Sequence, residues 1–347
     1  MYKRQTSGLD VADSRLNAAG AALHEVKHDL SIKTIAVYTE ALRQQARLQH
    51  ATTGLGEHEK LLSMIKRRVE QDVSSSTDLR LTESRYFQAA NDLSTIKQAY
   101  NNALTQLSQL NGSPVTQISA QGVQDANVDA NTPSTPNIPN MPDTLEDALA
   151  ETFEYSPILR RLAFEEEAAL ADVSVKRAAY YPLLALRFEN SRSQVQGAVV
   201  NDSRVLAVLV GQPGAGLAAV AGVDGAIARH ESARLARESA QRDLTERITL
   251  DWGEWVAARQ RLENASQASA MSAEVFESYT RQYAIGRKSW IDVLNAVRES
   301  TQAQFALEDV RVQALAASLR LRVQMGVLTP TPEPIEPVPA IPMLWVE

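Results

Sequence analysis

His24-Glu25-Val26-Lys27-His28 carries the spacing H-E-x-x-H. On a helix this sets two imidazoles one turn apart with a carboxylate between them, as in zinc hydrolases. Zinc chemistry also needs a third ligand. No motif supplies one, and His50, His58 and His230 are the other histidines. A solvated helix face accounts for the triplet more simply, so no metal site is expected. Gly214-Ala215-Gly216, between a strand-like and a helical stretch, is the nearest approach to a dinucleotide-binding turn. The rod-like segment after it is far longer than the crossover helix of such a unit. The sequence holds no G-x-S-x-G, no P-loop and no cysteine, so it presents no catalytic constellation and no cofactor is expected. Asp78 and Asp292 each stand at the start of a helical segment, where a carboxylate favourably meets the helix dipole. Several such carboxylates brought to one axis would select and gate ions.

The elements that place these residues come in two copies. Arg67–Gly112 aligns without a gap on Arg281–Gly326 at a constant offset, 292 − 78 = 214 for the two aspartates. Ser75 meets Ser289, Gln88 meets Gln302, Leu107 meets Leu321 and Gly112 meets Gly326. The offset extends back through Glu40 with Glu254 and Arg47 with Arg261 to Asp10 with Asp224. A unit this long is a duplicated half-protein rather than a solenoid module. The predicted divisions are a first repeat over 1–112, a linker over 113–143, a second repeat over 144–326 and a Pro-rich tail over 327–347.

Composition fits long helices. Of 347 residues 44% are hydrophobic but only 5% aromatic, a balance that suits packed rods better than a compact core. The net charge of −7, with basic residues interspersed among acids, gives no reason to expect nucleic-acid binding. The opening residues, Met1-Tyr2-Lys3-Arg4-Gln5, are polar and carry no secretory signal. Because the second repeat has a helix and two strand-like segments with no counterpart upstream, a further N-terminal segment is expected.

From about Leu9 to Gln71 no proline interrupts the chain. Leu16, Leu23, Leu30 and Val37, then Leu48, Leu55, Leu62 and Val69, recur at sevens and predict a coiled-coil seam with one stutter. At about 1.5 Å per residue this is a rod of roughly 90 Å. Asp72 to Thr77 turns the chain. The return helix carries two heptad lines, Leu79-Tyr86-Leu93-Tyr100-Leu107 and Thr82-Ala89-Ile96-Ala103-Leu110. Helix resumes near Thr144 and runs to about Ala179 through a tolerated break at Ser156-Pro157. Leu184, Leu186 and Phe188 then alternate with Ala185, Arg187 and Glu189, predicting a strand over 184–190. Ser191–Ser203 reads as a loop and Val205–Val210 as the returning strand of a β-hairpin spanning about 184–210. The apolar face would meet a core in a soluble sheet and lipid in a transmembrane barrel. A second long helix is predicted from about Val223 to Tyr283, with a turn at Gly286–Ser289 and a return to Gly326.

These features together resemble the TolC-like outer-membrane efflux and type I secretion channel proteins, over about Ser7 to Leu328. The motifs that carry the resemblance are Tyr155-Ser156-Pro157-Ile158-Leu159, the Tyr181-Pro182 junction into a strand, and Tyr283-Ala284-Ile285-Gly286 followed by Ser289 and Asp292-Val293-Leu294-Asn295-Ala296. The resemblance implies a mainly α fold: helical hairpins of three protomers form an α-barrel tunnel across the periplasm, and their β-hairpins close a β-barrel in the outer membrane. It implies a homotrimer in outer-membrane lipid, partnered by a periplasmic adaptor and an inner-membrane transporter, that exports small molecules or protein without doing chemistry. Family members contribute two β-hairpins each, whereas one is found in this sequence. By motif, Asp78 and Asp292 are the expected aperture carboxylates, and Tyr283 and Lys288 belong to the network that holds the aperture shut. Asn295 stands where some members have a second acid. Ser74, Ser75, Gly286 and Ser289 are the expected adaptor-docking turns, although Asp72 replaces a common glycine in the first. The contrasting expectation is a soluble trimeric coiled-coil scaffold.

Overall fold

The computed structural model describes residues 2–118, 141–178, 181, 183–195, 198–210 and 216–328. Most of the expected linker, Pro182, Gly214, Ala215 and most of the Pro-rich tail lie outside the described residues. The elements are α1 (Tyr2–Glu70), α2 (Ser76–Asn111), α3 (Leu145–Tyr155), α4 (Pro157–Ala178), β1 (Leu183–Val195), β2 (Ala198–Val210), α5 (Gly216–Ala284) and α6 (Trp290–Gln324). This is a mainly α fold with long helices paired through tight turns and a small antiparallel sheet, as expected. No helix among the described residues is long and apolar enough to cross a membrane.

Three boundaries differ from the sequence reading. Ser156-Pro157 ends one helix and begins another, because proline has no N–H to donate and fits the first helical position. Helix α5 begins at Gly216 and not near Val223. The supposed loop over Ser191–Ser203 is largely strand. Arg192 pairs with Asn201 and Ser191 with Asp202, continuing the ladder from Leu184 with Leu209 and Phe188 with Val205. Backbone pairing needs no apolar side chains, so a polar stretch opposite another polar stretch still forms sheet.

The sheet is two-faced. Leu184, Leu186, Phe188, Val205 and Leu209 are exposed, Leu186 at 77%, and the register puts them on one side. On the other, Glu189 lies 3.5 Å from Arg187 and 3.8 Å from Arg204, and Arg204 lies 2.9 Å from Asp202, while Leu206, opposite Arg187, and Val208 continue that side with apolar residues toward the base of the hairpin.

The described residues form two compact units, each drawing on both repeats: 2–27 with 153–245, and 28–152 with 246–328. In the first, α4 is tied to α1 by Arg161 with Glu25, and to α5 by Arg229 with Asp172 and Arg237 with Glu166, both at 3.0 Å. Such partly exposed pairs fix register more than they stabilise.

In the second unit α6 is the central helix. Val293, Ala317 and Leu321 are fully buried, and small residues such as Ala296, Ser300 and Ser318 let its neighbours approach closely. At Gly54 of α1 an added Cβ would lie 2.9 Å from Thr301 Oγ1 of α6, so only glycine fits that crossing. One apolar cluster joins Leu42, Leu104, Leu107, Val312 and Leu315. Ile118, from the start of the expected linker, is buried in it, and its carbonyl accepts from Gln45 Nε2 at 3.3 Å. Every position on the two heptad lines of α2 is buried or half-buried.

On α1 the buried line differs from the expected seam. Ala51, Gly54, His58, Leu61 and Ile65 are buried, while Leu55, Leu62 and Val69 flank them half-buried. The true line alternates steps of three and four, but two of its members are a glycine and a histidine, which an apolar pattern passes over. Leu16, Leu23 and Leu30 are 61%, 54% and 46% exposed.

Candidate functional site

The two interhelical turns are built alike. In the first, Asp72 N–H donates to Val69 O at 3.0 Å and Val73 N–H to Arg68 O at 2.8 Å; in the second, Gly286 N–H donates to Tyr283 O at 3.0 Å and Arg287 N–H to Gln282 O at 2.9 Å. Both are Schellman endings, which require a left-handed residue after the helix. Asp72 has φ 60° and Gly286 φ 76°. The aspartate therefore takes the glycine conformation, which Asp and Asn tolerate better than other residues with a Cβ. Gly286→Ala is expected to destabilise the protein by about 1 kcal/mol and Asp72→Gly to be neutral or slightly stabilising. Urea melts of the two variants check this; equal losses would contradict it.

The helix starts diverge. Ser289 caps α6, its Oγ accepting from Asp292 N–H at 3.3 Å while Asp292 Oδ2 accepts from Ser289 N–H at 3.2 Å and from Ser289 Oγ at 2.7 Å. This is a capping box with Asp in the glutamate position. The Ser289 hydroxyl, then its backbone N–H, and then the charge of Lys288 hold the Asp292 carboxyl below its ordinary value. A lowered folded-state pKa means that the carboxylate supports the helix start above the unfolded value and that this support is lost as pH falls through the folded one. Ser289→Ala should raise the Asp292 pKa and cost about 1 kcal/mol through the lost cap. Carboxyl carbon NMR against pH reads the shift, and an unmoved titration would exclude the box.

Ser75 caps α2 differently, accepting from Thr77 N–H at 3.0 Å. Asp78 closes no box with it, but it stands in the first turn of α2 as Asp292 does in that of α6, so each carboxylate meets its helix dipole as expected.

Side chains tie the turns together. Ser74 Oγ lies 3.3 Å from Tyr283 Oη and accepts from Arg68 Nε at 3.2 Å, while the Arg68 guanidinium sits over the Tyr283 ring at 4.9 Å. Tyr283 packs on Trp290 with ring centroids 4.7 Å apart, and Trp290 Nε1 donates to Thr82 Oγ1 at 2.6 Å. Thr82 is fully buried and donates in turn to Asp78 O at 2.7 Å. Lys288 Nζ lies 4.1 Å from the centre of the Tyr279 ring. Leu61, Ile65, Val293, Leu294 and Val297 close the cluster from beneath. Asn295 is half-buried one turn after Asp292. Val73, Ile285 and Ile291, around the turns, are 59%, 67% and 53% exposed.

The structure thus joins Tyr283 and Ser74 directly. No motif in the sequence marks Trp290, Thr82 or Arg68 as site residues. Their signal was asymmetry: the offset pairs Trp290 with Ser76 and Thr82 with Ala296. The histidine triplet lies elsewhere. Glu25 is the partner of Arg161, and His28 Nδ1 is 3.6 Å from Asp29.

Solved structures share this fold. A membrane protein from Pseudomonas aeruginosa is 19% identical with a TM-score of 0.78, covering 94% of this chain and 74% of that one. The outer membrane protein VceC from Vibrio cholerae is 17% identical with a TM-score of 0.79, over 94% and 76%. The open-state MtrE outer membrane channel of Neisseria gonorrhoeae is 16% identical with a TM-score of 0.71, over 93% and 70%. No curated protein matches the sequence. The outer membrane efflux protein family matches residues 148–327, more than half of the 347-residue chain, taking in α4, the β-hairpin, α5 and α6. The chain belongs to the outer membrane efflux protein family.

Proposed function

We propose that this protein is the exit duct of an efflux system in the outer membrane, conducting solutes passively while an inner-membrane transporter supplies the energy. The observation that carries this reading is the two-faced hairpin in a chain of this family. Exposed Leu186, Phe188, Val205 and Leu209 suit lipid, and the Glu189–Arg204 face suits a wet lumen. The exposed heptad leucines of α1, Leu16, Leu23 and Leu30, support a homotrimer in which other protomers cover them. A periplasmic adaptor would meet the turns at Ser75, Gly286 and Ser289, with Val73, Ile285 and Ile291 as apolar contacts.

Within this reading Asp78 and Asp292 are the aperture carboxylates. Tyr283, bonded to Ser74, belongs to the latch between the repeats, and Lys288 stands beside it over Tyr279. Asn295, carrying no charge, adds no second ring of acid. In planar bilayers the Asp78→Ala/Asp292→Ala pair is expected to raise conductance and lower cation preference, because a ring of carboxylates is lost from a constriction. Unchanged conductance and selectivity would remove the aperture assignment. Recovery of the protein wholly in the soluble fraction would remove the channel reading itself.

A further inference from the structure

Between α1, α2 and α6, away from the turns, lies a cavity of about 210 Å³. A water molecule occupies about 30 Å³ of liquid, so the space is large enough for a small organic molecule. Arg85, Arg298, His58 and Asp92 line its polar side, and Ala89 and Phe305 are among its apolar walls. We propose that this cavity is a binding site for a small organic monocarboxylate with an aromatic or branched apolar body.

Several observations point the same way. His58 is 7% exposed, and its Nδ1 has no hydrogen-bond partner among the described residues. A buried polar atom left unpaired is costly, and a ligand oxygen or its bound water would relieve that cost. Burial, and then the charge of Arg85, lower the pKa of this imidazole. The Arg298 side chain is exposed at the cavity, and its guanidinium makes no hydrogen bond or ion pair among the described residues. Among the described residues the Arg85 guanidinium donates only to the neutral Gln88 Oε1, at 3.1 Å.

Two guanidiniums face one carboxylate, which leaves an excess of one positive charge. A guanidinium fork matches a carboxylate in shape as well as in charge. Asp92 disfavours a second negative charge, which selects a monoanion over phosphate. Phe305 and Ala89 offer no polar partner and therefore suit an apolar body. The site is not a relic of the duplication, since the offset puts Ser272, Glu299 and Ser84 where His58, Arg85 and Arg298 stand.

The test titrates the full chain in detergent with sodium benzoate and with uncharged benzamide. It reads calorimetry and the imidazole ¹H–¹⁵N resonances, with His58 assigned by its loss in His58→Gln. Benzoate should bind saturably and shift the His58 resonance, and benzamide should bind at least about tenfold more weakly, the loss expected for a charge-assisted pair. Arg298→Gln, at an exposed position, should weaken benzoate by a similar factor with unchanged thermal melting. Ala89→Leu, which fills the cavity, should abolish binding while the chain stays folded. The proposal is overturned by non-saturable benzoate shifts, by benzamide binding equally, or by binding that survives both Arg298→Gln and Ala89→Leu. Saturable binding of inorganic phosphate in place of benzoate overturns it as well. None of these readouts depends on transport.

Discussion

Trp290→Ala is expected to destabilise the protein by about 3–5 kcal/mol, the range for removing a buried aromatic side chain. Trp290 is 4% exposed, and its ring contacts Tyr283 while its N–H reaches a fully buried threonine. Truncation would open a cavity between the turns and take the indole donor from the Thr82 oxygen, whose hydroxyl still donates to Asp78 O. Two gentler changes separate these contributions. Trp290→Phe keeps most of the packing and loses the hydrogen bond, while Thr82→Val keeps the packing and leaves the indole N–H buried without a partner, for about 1–3 kcal/mol. Because the two residues share one bond, the double variant should lose less than the sum of the singles. Denaturant melts followed by circular dichroism give all four values. A loss below about 1 kcal/mol for Trp290→Ala would mean that the turns are not joined through this residue. In the exit-duct reading the same variant should also loosen the aperture, since the latch at Tyr283 rests on the indole ring.

The legible parts of this fold are those that depend on local rules. The offset of 214, 286 − 72 between two turn residues, pairs Asp72 with Gly286 and Gly112 with Gly326, and all four take positive φ. Pattern at sevens placed both faces of α2, because that helix buries apolar residues at those positions. It misplaced the seam of α1, because Gly54 is there to let α6 come close and His58 faces a cavity. Neither role shows in hydropathy. The first strand could be read only as far as its apolar alternation went, to Asn190; beyond it the ladder runs through Ser191, Arg192 and their polar partners Asp202 and Asn201, where no alternation marks a strand. The shared pattern Ser-x-x-Asp at Ser75–Asp78 and Ser289–Asp292 looks identical on paper. Only the second closes a capping box, because the Ser75 hydroxyl takes the N–H of Thr77 instead. The link from Trp290 to Thr82 spans 208 residues, and no local rule reaches that far. What the duplication could supply was the question of why two equivalent positions differ, and at Trp290 and Thr82 the difference marks the contact.

Asp251→Ala is expected to cost about 2–3 kcal/mol, somewhat less than the loss of one partner from a fully buried ion pair. Asp251 is 9% exposed and accepts from Arg320 Nε at 2.9 Å through one oxygen and from Gln324 Nε2 at 3.0 Å through the other. Its removal leaves Gln324, 3% exposed, with no acceptor for its amide N–H. The loss is moderated at Arg320, whose side chain is 24% exposed and keeps Glu254 Oε2 at 2.6 Å. Asp251→Asn retains one acceptor and should cost about half as much, since it forfeits mainly the charge. The pair also separates stabilisation from specification. Joining α5 to α6 by a desolvated ion pair is weakly stabilising at best, and an apolar exchange of both partners can match it. Asp251→Leu/Arg320→Leu should therefore melt closer to the parent than Asp251→Ala does. If the double exchange were instead the worse of the two, the pair would be a net source of stability rather than a device that fixes the register of α5 against α6.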